Sequence, residues 1–151
     1  MADYCGKTRT NYFSVTDVER FKTIIASCSA EYGLKIGEEK QANGSIKYCF
    51  YCDGVIHGLP DRNENENMES CGDDDYAEYD YDAFCLKLQE ILPNNDAIII
   101  THIGSEKMCY LLGGCAVITQ NKYEYIDLTH EAVKLAATML QNPDFTTQMD
   151  Y

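Results

Sequence analysis

The chain has no tryptophan, three prolines, and twelve lysines and arginines against twenty-five aspartates and glutamates in 151 residues. The shortage of bases excludes direct binding to nucleic acid or an anionic membrane, because both polyanions repel a chain of net charge −13. Long apolar runs are missing as well. The most apolar short stretch, Ala97 to Ile100, is far below the length of a membrane span. The opening Met1-Ala2-Asp3-Tyr4-Cys5 lacks a basic region followed by an apolar one, so no signal peptide is read there. A soluble protein of the cytoplasm is expected. In that reducing compartment eight cysteines read as free thiols or metal ligands rather than disulfides.

What is present is an ordinary globular composition, 45% hydrophobic and 25% charged. One domain spanning residues 1–151 is expected, long enough to bury a core without cross-links. The charge, in contrast, is concentrated. Between Asp61 and Asp82 ten acids meet a single base, Arg62, a net of −9 that leaves −4 for the remainder. Within it, Asn63 to Asn67 alternates Asn and Glu with nothing to bury, which predicts a solvated loop at about residues 61–82.

The flanks carry structural periodicity. Asn11 to Val15 is a strand candidate, followed by the helix start Thr16-Asp17-Val18-Glu19 and a helical stripe of Val18, Phe21, Ile24, Ile25 and Cys28. Tyr32 to Ile36 and Ile46 to Cys52 read as strands around the turn Asn43-Gly44. Phe84, Leu88, Ile91 and Leu92 mark a second helix that stops at Pro93. Four strand-like runs follow, Ala97 to Ile103, Met108 to Leu112, Cys115 to Thr119 and Lys122 to Ile126, with Gly113-Gly114 among the breaks. Thr129 opens a last helix carrying Ala132, Leu135, Ala136, Met139 and Leu140 on one side, ended by Asn142-Pro143. The predicted class is α+β: a mostly antiparallel sheet of several strands with about three helices.

Two constellations could carry chemistry. In Tyr48-Cys49-Phe50-Tyr51-Cys52-Asp53-Gly54, two thiolates three positions apart with a following glycine can form a knuckle around a metal. His57 and Cys71 would complete a Cys3His zinc tetrahedron, with Asp53 or Cys5 as alternatives for the last ligand. A structural zinc there would anchor the start of the acidic stretch. Strand alternation works against it, placing positions three apart on opposite faces unless the strand ends at the pair. A redox role for Cys49 and Cys52 is the other reading, although such pairs sit at helix N-termini and no helical pattern follows. Cys28, Cys85, Cys109 and Cys115 fall at apolar positions and read as small core residues. His102 and His130 have no partner at a recognisable catalytic spacing, so each reads as structural.

The second constellation is Asp73-Asp74-Asp75-Tyr76-Ala77-Glu78-Tyr79-Asp80-Tyr81-Asp82. Its carboxylates can stand in for backbone phosphates, accepting bidentate hydrogen bonds from arginine while the tyrosines stack on guanidinium. Asp73, Asp74, Asp75, Tyr76, Glu78, Tyr79 and Asp80 are the predicted partner-binding residues, aimed at a protein whose basic surface handles nucleic acid. Acids just before a helix also stabilise its positive end, which accounts for Asp80 and Asp82 but not for the acids upstream. No phosphate-cradling glycine loop, Ser/His/Asp set or HExxH occurs, so no enzyme activity is expected.

Three segments carry a resemblance: Thr8-Arg9-Thr10-Asn11-Tyr12-Phe13-Ser14-Val15-Thr16-Asp17, the stretch from Phe84 through Ile103, and the ending Asn142-Pro143-Asp144-Phe145-Thr146-Thr147-Gln148-Met149-Asp150-Tyr151. They are similar to small acidic proteins encoded on phages, plasmids and conjugative elements of Firmicutes. Within that group the chain resembles type II anti-CRISPR proteins, which inhibit Cas9. The resemblance implies a non-enzymatic inhibitor in the cytoplasm of a bacterial host, binding a Cas9-type nuclease and blocking its nucleic-acid handling; zinc would make it a zinc-containing member. A thiol protein, or an acidic module acting on another basic host protein, is the alternative.

Overall fold

The computed structural model describes residues 4–61, 78–106 and 110–147. Among the described residues nine strands and three helices follow in the order β1 (Tyr4–Thr10), α1 (Val18–Ser27), β2 (Ser29–Ala30), β3 (Lys35–Lys40), β4 (Ile46–Asp53), β5 (Ile56–Pro60), β6 (Tyr79–Asp80), α2 (Tyr81–Gln89), β7 (Ile98–Glu106), β8 (Tyr110–Ile118), β9 (Tyr123–Asp127) and α3 (Leu128–Met139). Six strands form an antiparallel sheet in the order β3-β4-β1-β7-β8-β9, and β2-β5-β6 form a second, small one. The architecture is the expected α+β.

Alternation decides which side of the large sheet is covered. Thr8, Thr10, Tyr48, Phe50, Cys52, Ile98, Ile100, Ala116 and Ile118 are all buried on one face. Against them pack Phe21, Ile24 and Ile25 of α1 and Phe84, Cys85 and Leu88 of α2. Phe50 makes edge contacts with both Phe13 and Phe84, and Phe13 does the same with Phe21, so one aromatic chain links the sheet to both helices. The two buried threonines are satisfied: Phe50 N donates to Thr10 Oγ1 at 3.0 Å, and Thr8 Oγ1 donates to the Gly54 carbonyl at 2.8 Å.

Several expected elements shift. The first strand is Tyr4–Thr10 rather than Asn11 to Val15; of the latter, Phe13 forms a single bridge to Tyr48. Alternation there is weak, and pairing to both β4 and β7 selects the earlier segment. Asp17, not Thr16, caps α1, its carboxylate accepting from Arg20 N at 3.0 Å. The first strand of the following pair is Lys35–Lys40 rather than Tyr32 to Ile36, because Tyr32 takes a positive φ of 56° and turns the chain. Gly113-Gly114 does not break a strand; β8 runs straight through it. A side chain at Gly114 would strike the Tyr125 hydroxyl at 2.3 Å, and Leu128 lies over Gly113 at 3.2 Å. These glycines are places where neighbours lie on the strand, not turns. Asp127 rather than Thr129 caps α3. Among the described residues no helix is long and apolar enough to cross a membrane.

Candidate functional site

The described ends of the acidic stretch lie side by side. Leu59 pairs with Asp80 and Pro60 with Tyr79, and beyond them Asp61 N donates to the Glu78 carbonyl at 2.9 Å. Residues 62–77 are thus inserted in the chain between two residues, Asp61 and Glu78, that are held side by side. Gly58 makes that approach feasible: its φ is +119°, and a side chain there would lie 2.3 Å from the Asp80 carbonyl oxygen. Asp73, Asp74, Asp75, Tyr76 and Cys71 lie outside the described residues.

The described acids at the base divide in two. Asp80 caps α2, its carboxylate accepting from Ala83 N at 2.9 Å, and Asp82 accepts from the Tyr123 hydroxyl at 3.1 Å. Glu78 and Asp61 are exposed at the mouth of the insertion. Tyr79 is exposed as well, its ring 5.9 Å from that of His57 on the adjacent strand. His57 thus stands at the root of the insertion beside an aromatic ring.

The cysteine pair has a different arrangement. β4 continues through both residues to Asp53, so the strand does not end at the pair. Cys52 lies in the core with Tyr48 and Phe50. Cys49 lies on the other face, its sulfur against Gly37 near the Tyr12 hydroxyl. Positions three apart in a strand are separated by ~10 Å, whereas a disulfide needs Cα atoms within about 7 Å. Two sulfurs on one zinc must each come within about 2.3 Å of it. With β4 paired as it is, Cys49 and Cys52 fit neither a shared zinc nor a mutual disulfide. Among the described residues no group of three or more His, Cys, Asp or Glu side chains converges. Burial pushes the Cys52 thiol up, the reverse of what a reactive thiolate needs. Cys28 and Cys85 are pushed up to about 12 for the same reason, as expected of thiols packed among apolar side chains.

One constellation was not legible from spacing: Tyr4, Thr8, Gly54 and His102. Thr8 stands directly opposite His102 in the β1–β7 ladder. Because the Thr8 hydroxyl donates to the Gly54 carbonyl, it must accept from His102 Nδ1, 2.9 Å away. Nε2 is then the acceptor for the Tyr4 hydroxyl at 2.5 Å. In this arrangement the ring proton sits on Nδ1. Burial lowers the His102 pKa below the usual imidazole value, with Glu31 opposing the shift. Tyr4 is raised, first by burial and then by Glu31 and Tyr125. A small hollow of about 140 Å³ adjoins it, lined by Thr8, Ile56, Tyr81, Ile100, His102 and Tyr125. Both imidazole nitrogens are engaged, so the histidine holds strands together, as expected of a structural residue. His130 lies in the first turn of α3, its backbone N donating to Asp127 at 2.8 Å.

Comparison of the chain with protein-family models, with curated proteins and with solved structures found no match in any of the three.

Proposed function

We propose that the protein is a non-enzymatic inhibitor of the anti-CRISPR kind, whose acidic insertion occupies a basic surface of a Cas9-type nuclease that otherwise holds guide RNA or target DNA. The observation that carries the reading is a net −7, eight acids against Arg62, from Asp61 to Glu78, between the strands β5 and β6 that pair with each other. A tied insertion presents its carboxylates with less chain entropy to lose than a free tail would have. Cas9-type nucleases grip nucleic acid through its phosphates in a positively charged channel, which is the chemistry a row of carboxylates imitates. The buried relay at His102 and the cysteines of β4 belong to the scaffold in this reading.

The test is binding and inhibition with the full chain and a Cas9-type nuclease at two salt concentrations. Association should weaken steeply as salt rises. The combined variant Asp73→Lys, Asp74→Lys, Asp75→Lys and Glu78→Lys should lose binding at least tenfold, on the order of 1.4 kcal/mol, while its circular dichroism stays that of the parent. Full inhibition by that folded variant overturns the reading.

A further inference from the structure

Helix α3 turns its apolar stripe outward. Leu128, Ala132, Leu135 and Met139 recur at spacings of four, three and four, the repeat of a helix–helix seam. Yet Leu128, Leu135 and Met139 are 66%, 60% and 77% exposed, and no residue of the helix is buried. The stripe continues onto the sheet. Leu128 lies over Gly113, and Ile103 stands directly opposite Gly113 in the β7–β8 ladder. Leu111 shares that face two positions along β8. Ile103 and Leu111 are exposed too, as is Leu140 just past the helix. A hollow of about 420 Å³ between Cys5, Lys7, Ile103, Ser105 and Leu111 adjoins them, a socket for an apolar anchor.

Two further observations identify the occupant. The first is charge. From Leu128 to Pro143 there is one acid, Glu131, and one base, Lys134, and they pair with each other at 2.7 Å. In a chain of net −13 this is neutral ground, so another copy can approach here without facing its own repulsion at close range. The second is area. A fully exposed Leu, Ile or Met side chain offers on the order of 100 Å² of apolar surface. At their exposures, Ile103, Leu111, Leu128, Leu135, Met139 and Leu140 together present roughly 400 Å². Homodimer interfaces are about 65% apolar, so this corresponds to roughly 600 Å² per partner, at the lower end of the range of stable interfaces.

We propose that this face is the interface of a homodimer, in which α3 packs on α3 of a second copy about a two-fold axis and Ile103 and Leu111 form part of the contact. The inference does not depend on the acidic insertion or its partner.

Sedimentation velocity of the full chain, from about 1 to about 100 μM at physiological salt, reads it directly. The expected species has twice the 17.1 kDa mass of one chain. A chain that stays monomeric throughout, whatever else it binds, overturns the proposal. The double variant Leu135→Glu, Met139→Glu should be monomeric with unchanged circular dichroism. Leu86→Glu, at an exposed apolar position of α2, should leave the dimer intact. The milder pair Leu135→Ala, Met139→Ala should raise the dissociation constant at least tenfold; a dimer indifferent to it has its seam elsewhere, and the proposal falls.

Discussion

Helices α2 and α3 begin alike and end differently. Each follows a strand, each is capped by an aspartate, and each carries an apolar stripe readable from its spacing. Phe84 and Leu88 of α2 are fully buried against the sheet, while Leu135 and Met139 of α3 stand in the open. Periodicity therefore states that a face wants covering, and says nothing about what covers it. For α2 the cover is the core shared with α1 and β4; for α3 the described residues of the same chain do not supply it.

Truncating one residue on each helix should affect stability very differently. Phe84→Ala should cost about 3–5 kcal/mol, read as a fall in the urea midpoint, because it removes a ring that packs on Phe50. The cap of α2 comes next: Asp80→Ala should cost about 1 kcal/mol by losing the bond to Ala83 N. That variant also separates the helix-capping role of Asp80 from its place in the acidic surface, since Glu78→Ala should leave the midpoint unmoved. Leu135→Ala should change stability by less than about 0.5 kcal/mol when measured at protein concentrations too low for association. A loss as large as that at Phe84 would mean that α3 is covered within the chain after all.

The smallest expected effect concerns pH. A folded-state pKa of His102 below its unfolded value means the unfolded chain binds more protons in that interval. Its contribution to stability is therefore complete above about pH 6.5, and is lost as pH falls through the unfolded value toward the folded one. Urea midpoints between about pH 7.5 and about pH 5 should fall more for the native chain than for His102→Gln. Equal slopes would remove the histidine from the account.

Much of the fold was open to reading, for definite reasons. The spacing of Phe84 and Leu88 located α2, although the helix ends at Gln89, short of Ile91, Leu92 and Pro93, and the strand of β4 followed from its aromatic run. The faces of β4 followed from alternation alone: Cys49 and Cys52 point apart because a strand repeats every two residues. The glycine pair at 113–114 misled, because local propensity treats Gly-Gly as a turn, whereas here Tyr125 and Leu128 use the missing side chains as landing sites. Nor was the His102 relay accessible, since its members are up to 98 positions apart and meet only through the register of β1 against β7.

Sequence alone determined that one segment gathers the negative charge and which residues of each helix and strand share a face. Those are properties of composition and of local backbone period. Tertiary structure decided that the ends of the acidic segment are tied side by side, that the histidine is held between two strands, and that one of two helices with apolar stripes is left uncovered. Such outcomes depend on strand pairing across long separations, and no local rule of spacing contains them.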